Sequence, residues 1–280
     1  MQTYLAHAKI NLGLEILRKR SDGYHEINSL FLPIPLADSL TITPAESGIT
    51  LECDDSSLPV DATNLCMRAS LAMQKYFSIR EGVHVTLKKN IPAGAGLGGG
   101  SSDAAAMLLM LNTMWNINAP LTTLHEIAAT LGADVPFFLY STPAIIAGIG
   151  ERVAPLPTSL NHPLLVVFPG INVSTAWAYS HAVCEPERVA TDYRKILNAN
   201  KPLSEYHDLF RNDFEKIIFP RYPELAAIKM RLFTSGAAYA SLTGSGSALF
   251  AFYDDIVTAQ SASNSFPEYK TDFFPQMLSD

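Results

Sequence analysis

The stretch Pro92–Ala105, PAGAGLGGGSSDAA, decides how the rest of the chain is read. Five of the eight residues from Ala93 to Gly100 are glycine, and Ser101-Ser102-Asp103 then introduce the apolar run AAAMLLMLN. Glycine removes side-chain obstruction and lets the backbone curve tightly, so neighbouring N–H groups can converge on one anion. A helix opening at the serines adds unpaired donors and a dipole that favours phosphate. Ahead of the loop, Val83-His84-Val85-Thr86-Leu87-Lys88 alternates, which predicts a strand with Val83, Val85 and Leu87 on one face. The unit is strand, glycine-rich loop, helix. Two readings of the loop stand on these grounds. It is a phosphate cradle, with Ser101 or Ser102 offering a hydroxyl to phosphate or to a magnesium-bound water and Asp103 orienting the hydroxyls, or it is a structural connector. Neither familiar nucleotide fingerprint explains it. A Walker loop needs a lysine followed by serine or threonine, and the spacing of Gly94, Gly96 and Gly99 lies too far along for a first dinucleotide-binding turn.

Outward from this unit, Tyr4 to Leu17 reads as a strand leading into the turn Ser21-Asp22-Gly23, and Asn28–Leu32 and Ser39–Thr43 as further extended segments. Helices are predicted over Asn64–Tyr76, with Asn64 as N-cap, over Leu121–Leu131, closed by Gly132, and over Pro223–Phe233. Ser174 or Thr175 caps a helix containing Trp177 and Tyr179. Leu164–Phe168 and Ala248–Tyr253 read as core strands, and the segment after Asp254 packs at least partly through Phe266, Phe273, Phe274 and Met277. Three prolines between Pro155 and Pro163 place a domain boundary there, giving domains 1–157 and 158–280.

Composition narrows the class. The 280 residues are 48% hydrophobic and 17% charged, enough for packed cores in roughly two domains. Twenty basic residues against 27 acidic give a formal charge of -7, which does not support a broad nucleic-acid footprint. Apolar runs such as VPFFLY stop well short of the ~18 residues a membrane span requires. The basic cluster follows the first apolar stretch, the wrong order for an export signal. Cys53, Cys66 and Cys184 lack metal-ligand spacing and read as reduced thiols of a cytoplasmic protein.

Lys9 lies inside an apolar strand, where a charge is costly unless a carboxylate or a ligand phosphate compensates it. Asp134 has a similarly apolar setting in LGADVPFF. The two form either a catalytic pair, the carboxylate steering a hydroxyl proton and the lysine stabilising charge, or an unrelated snorkelling lysine and structural aspartate. Gly244-Ser245-Gly246-Ser247 is either a second phosphate grip or a simple turn. Tyr24 and His25 follow a turn and either stack on an aromatic ligand or are ordinary surface and core residues.

Taken together, AKINLGLEI, RSDGYHEINSLF, PAGAGLGGGSSDAA, LGADVPFF and TGSGSALFAFY resemble the small-molecule kinases of the galactokinase, homoserine kinase, mevalonate kinase and phosphomevalonate kinase superfamily. The likeness is closer to its members that act on 4-diphosphocytidyl-2-C-methyl-D-erythritol. It implies a two-domain α/β (α+β) kinase, with a ribosomal-protein-S5-like N-terminal domain, a ferredoxin-like C-terminal domain and a cleft between them. The implied reaction is ATP-dependent phosphorylation of the substrate's 2-hydroxyl in non-mevalonate isoprenoid precursor synthesis, with Mg²⁺ as cofactor and no assigned metal ligands. By matching motifs, Lys9 and Asp134 take the catalytic positions. Pro92, Ala93, Gly94, Ala95, Gly96, Leu97, Gly98, Gly99, Gly100, Ser101 and Ser102 wrap the ATP phosphates, with Asn64 and Leu65 near adenine. Tyr24 and His25 recognise cytosine, with Tyr179 as the opposing aromatic. Asn11 approaches the erythritol hydroxyls, and Asp134, Thr175, Gly244, Ser245 and Gly246 complete the substrate region. The resemblance implies a monomer or homodimer with a small-molecule substrate and neither nucleic acid nor membrane as partner. Leu242 and Thr243 stand where these kinases commonly carry methionine and serine, exchanges that keep the packing and the hydroxyl. Two other readings stand beside it: another kinase of the superfamily, indifferent to the cytidyl group, and a noncatalytic nucleotide-binding sensor.

Overall fold

Two long strands, β1 (Gln2–Lys19) and β2 (His25–Ala45), pair with one another. The computed structural model describes residues 2–158, 160–184, 187–199, 201–207 and 209–278. The extended segments expected at 28–32 and 39–43 are parts of the single strand β2. Its residues 27–31 pair with β5 (Ala144–Gly148) and its residues 39–45 with β4 (Gly82–Lys88), both antiparallel. Pro33 and Pro35 fall between these two registers, where a missing N–H interrupts neither ladder.

The chain divides into two compact units by contact. The first comprises the chain up to Ala8, Leu36–Ala93 and Gly98–Ser141. Here β3 (Ile49–Cys53) pairs parallel with β4, giving the order β3-β4-β2. Val83, Val85 and Leu87 are buried, as the alternation predicts. Four helices follow the same chain order: α1 (Leu65–Phe77), α2 (Gly99–Met114), α3 (Leu121–Leu131) and α4 (Val135–Tyr140). Asn64 caps α1 by accepting the Cys66 N–H at 2.9 Å. Helix α2 is apolar nearly all round, and it is accordingly covered by α1, α3 and α4.

The second unit comprises Lys9–Pro35, Gly94–Leu97 and the chain from Thr142 onward. In it β6 (Arg152–Pro155) extends the β2–β5 ladder. A separate antiparallel sheet has the order β10-β7-β9-β8, from β7 (Leu164–Phe168), β8 (Tyr239–Leu242), β9 (Leu249–Phe252) and β10 (Lys270–Phe274). Helices α8 (Pro223–Thr234) and α9 (Ile256–Ser263) pack on this sheet, the layering expected of a ferredoxin-like half. Short helices α5 (Thr175–Ser180), α6 (Tyr193–Asn198) and α7 (Glu215–Arg221) join these elements. Ser174, not Thr175, caps α5, accepting the Trp177 N–H at 3.2 Å. Leu14 and Ile16 of β1 belong to the same core as Leu165, Val167, Ile228 and Leu249.

Candidate active site

Strand β1 buries Lys9 to 3% exposure, so its ammonium must be met by polar or π partners. Nζ donates to Asn11 Oδ1 at 2.7 Å and lies 4.4 Å from the centre of the Phe31 ring. The Lys9 backbone N–H donates to the carbonyl of Leu97 at 3.0 Å, which ties the strand to the glycine-rich loop. Asn11 is fully buried and cannot flip. Its Nδ2 donates to Ser29 Oγ at 3.1 Å, and Ser29 spends its own proton on the Gly13 carbonyl at 2.6 Å. The serine oxygen must therefore accept, which turns Asn11 Oδ1 toward Lys9.

The loop has Gly94, Gly96 and Gly98 in the left-handed region, at φ +70°, +82° and +72°. Such a backbone is strained for other residues and is of the kind that forms anion-binding concavities. A Cβ on Gly96 would stand 2.2 Å from the Thr243 carbonyl oxygen, whereas one on Gly94 would meet nothing within 4 Å. Gly96 is thus where the loop abuts the turn at 243–246. The helix begins earlier than the serines suggest. Gly98 is its N-cap and makes no side-chain cap bond, so Ser101 and Ser102 lie inside the first turn. Ser102 Oγ is buried and donates to the His7 carbonyl at 2.7 Å, leaving only its lone pairs for another partner.

Asp103 does not orient these hydroxyls. Its Oδ2 accepts Lys89 Nζ at 2.8 Å, and its Oδ1 is buried without a hydrogen-bond partner. Lys89 also pairs with the fully buried Asp38, whose Oδ1 accepts the N–H groups of Asn90 at 2.6 Å and Ile91 at 2.9 Å. Burial pushes the Asp103 carboxyl up to about 7, with Lys89 opposing and Asp38 adding to the rise. Asn64 and Leu65 stand at the start of α1, and Leu65 Cδ1 is 3.5 Å from where a Cβ on Gly100 would sit. Asp134 is half-buried immediately before α4 and does not cap it.

His25 stacks on Tyr179 with ring centres 5.3 Å apart and planes 22° apart, and Tyr179 sets its edge against Phe214 at 4.9 Å. Tyr24, next to His25, is 60% exposed. Burial lowers the His25 pKa, with Lys19 adding to it, so the ring is neutral at physiological pH. At 5.3 Å the two rings touch, and a base cannot lie between them as they stand; the exposed ring beside them is Tyr24. Thr175 Oγ1 and Ser245 Oγ are 2.8 Å apart, bringing α5 to the 243–246 turn.

Several polar residues of this unit were not visible as site residues. Glu15 is buried and accepts Asn28 Nδ2 at 2.7 Å, the Thr191 N–H at 2.8 Å, its hydroxyl at 2.7 Å and Arg188 Nη2 at 2.7 Å. Arg188 reaches on to Asp213 Oδ2 at 2.5 Å. Asn212 donates to two carbonyls of the 242–244 segment. The local signal was Glu15, an acid inside the apolar run LGLEIL; Asn28 and Asn212 stand among polar neighbours and leave none.

In sequence and fold the chain matches known kinases. Residues 64–142 match the N-terminal domain of the GHMP kinases and residues 193–271 their C-terminal domain. A 4-diphosphocytidyl-2-C-methyl-D-erythritol kinase from Chlorobium limicola is 48% identical, over 88% of this chain and 86% of its own length. One from Chlorobium chlorochromatii is 43% identical, over 96% of this chain and 95% of its own. The crystal structure of a 4-(cytidine 5'-diphospho)-2C-methyl-D-erythritol kinase superposes with TM-score 0.85 at 34% identity, covering 99% of this chain and 100% of that one. A Methanococcus jannaschii mevalonate kinase, 14% identical, shares the fold at TM-score 0.76 over 100% of this chain and 98% of its own. With both family domains matched in order and such relatives running nearly end to end, the chain belongs to the GHMP kinases, in their 4-diphosphocytidyl-2-C-methyl-D-erythritol kinase branch.

Proposed function

We propose that the protein transfers the γ-phosphoryl group of ATP to the 2-hydroxyl of 4-diphosphocytidyl-2-C-methyl-D-erythritol, a step of non-mevalonate isoprenoid precursor synthesis. The products are ADP and the 2-phosphate. What carries this reading is 43% to 48% identity, along most of the chain, to relatives named for that kinase. The local geometry supports it: a buried lysine is held by its own backbone against a glycine-rich loop of phosphate-cradling shape.

The roles follow from the chemistry required. Loop N–H groups from Gly94 to Ser102, flanked by Pro92 and Ala93, compensate phosphate charge without reorganising. Asn64 and Leu65 border adenine. Lys9, aimed by Asn11, stabilises charge on the transferring group, and Asp134 orients the acceptor hydroxyl and takes its proton. Asn11 spends one Nδ2 proton on Ser29 and turns Oδ1 to Lys9 and Thr243, so its second Nδ2 proton is what it offers a substrate hydroxyl. Tyr24, His25 and Tyr179 hold cytosine, and Thr175, Gly244, Ser245 and Gly246 border the substrate. Mg²⁺ keeps several waters and is held largely by phosphate oxygens, so it fits a phosphate loop and asks few ligands of the chain. It would supply charge neutralisation on the phosphates. Residues 1–157 form the ATP-binding domain of this proposal, and 158–280 the domain that contributes to substrate binding.

The test pairs a variant with a substrate panel. Asp134→Asn should keep ATP affinity and melting temperature while single-turnover transfer falls by about 10²–10⁴-fold, the usual worth of a positioned general base. Near-wild-type transfer would remove Asp134 from the role. Wild-type enzyme should phosphorylate the diphosphocytidyl alcohol in preference to homoserine, mevalonate and a matched compound lacking cytosine. Equal turnover of the last would overturn the substrate assignment.

A further inference from the structure

Asn212 is buried, and its amide is fully used on the donor side. The Nδ2 protons go to the carbonyl oxygens of Leu242 and Gly244, both at 2.8 Å, and Oδ1 accepts the Phe214 N–H at 3.0 Å. A flipped amide would face two carbonyls with an oxygen, so this orientation is fixed. Close by, Glu215 Oε1 accepts the Leu242 N–H at 2.9 Å and the Ser241 hydroxyl at 3.1 Å, while Lys229 Nζ holds Oε2 at 2.6 Å. One short segment therefore grips the chain from Ser241 to Gly244 by two side chains.

The same segment is bonded to the strand that carries Lys9. Leu14 donates its N–H to the Arg211 carbonyl at 2.8 Å and accepts the Asp213 N–H at 2.9 Å. Three residues earlier on β1, the Asn11 N–H donates to Thr243 Oγ1 at 3.2 Å. That hydroxyl lies 3.2 Å from both Asn11 Oδ1 and the Gly96 carbonyl, with one proton to give. The bonds close a circuit: Leu14, the 211–213 segment, the Asn212 side chain, the turn, Thr243, Asn11 and back along β1. Lys9 Nζ rests on the Asn11 oxygen at its edge.

We propose that Asn212 is a positioning residue of the phosphoryl-transfer centre. It fixes the Leu242–Gly244 turn so that the Thr243 hydroxyl holds Asn11, and through it the Lys9 ammonium, in register with Gly96 of the phosphate loop. The inference rests on the roles proposed for Lys9 and the loop, but not on which alcohol is the acceptor. Phosphoryl transfer depends on placement of the reacting groups, and a loosened register costs turnover before it costs binding.

Asn212→Ala, Thr243→Val, Thr243→Ser and the double variant N212A/T243V, each in the full chain, test it. Wild-type enzyme is assayed first with the diphosphocytidyl alcohol. If it turns over a different alcohol of the panel instead, the substrate assignment fails and the same comparison is made on that alcohol. N212A and T243V should each lower kcat by about tenfold or more, with both KM values within about threefold. T243S, which restores the hydroxyl, should stay within about threefold of wild type in kcat. The double variant should be no worse than the poorer single one, because both cut one circuit. Near-wild-type kcat in folded N212A or T243V, additive losses, or a T243S as slow as T243V would each overturn the proposal. If N212A does not fold, Asn212→Ser, whose single hydroxyl proton can meet only one of the two carbonyls, takes its place with the same expected loss of kcat and the same overturning result.

Discussion

Asp103 places a carboxyl just past the first turn of α2, with one oxygen on Lys89 and the other buried without a hydrogen-bond partner. Desolvation disfavours the ion, and Asp38 on the same lysine disfavours it further, so the group titrates at about 7 in the folded chain, against an ordinary value of 3.8. Folding therefore favours its protonated form. That contribution is complete below about pH 4 and is lost as pH rises through 7, at up to about 1.4 kcal/mol per pH unit. Asp103→Asn removes the titration. Urea unfolding at pH 5, 6, 7 and 8 should show the variant gaining on wild type as pH rises; parallel curves would refute the assignment. At this scale the sequence revealed Lys9, since a cation in an apolar strand stands out. It did not reveal the Asp103–Lys89–Asp38 cluster or Asn212, because their partners lie far away in the chain and leave no local pattern.

Between β4 and α2 the loop has a glycine with no room for a side chain, Gly96, and one with open space beside it, Gly94, and alanine distinguishes them. Any Cβ at φ near +70° costs roughly 1–2 kcal/mol. Gly94→Ala should cost about that and no more, since the space beside it is open. Gly96→Ala must also push a backbone carbonyl 2.2 Å away, so its cost in a denaturant titration should be clearly larger. Equal costs would mean that the loop does not abut the turn. The elements with local signals were legible. Helix α1 follows from its Asn64 cap, α3 from its periodicity and Gly132, and β7 from an unbroken apolar run of five residues. Helix α7 was not, since Pro220 inside it reads as a breaker. Strand β8 was hidden in YASL, and β10 in KTDFF, because neither alternates. The start of α2 was placed at the serines because serine is a preferred cap, whereas the structure uses a left-handed glycine.

Across the molecule, composition suggested one cut among the prolines at 155–163, while the contacts gather Lys9–Pro35 with the chain beyond Thr142. A core containing both Leu14 and Leu165 cannot be completed by either side of that cut alone. Losing one buried leucine typically costs 2–5 kcal/mol, and whole domains are stable by only about 5–15 kcal/mol. A fragment of residues 158–280, also deprived of the Leu14 backbone bonds, should show no cooperative thermal transition by calorimetry or near-ultraviolet circular dichroism. A sharp transition in that fragment would show that β1 is dispensable to its core.

The contact between Gly96 and the Thr243 carbonyl also has a meaning in the language of codons. Every missense codon one base away from a glycine codon encodes a residue with a Cβ. A gene under selection for this enzyme therefore has no neighbouring allele at position 96 that keeps the loop against the turn, and only synonymous changes are free. At Gly94 the surroundings are open, and a small residue adds strain without collision. Two glycines with a single residue between them thus differ in what folding alone permits, while phosphate binding constrains both.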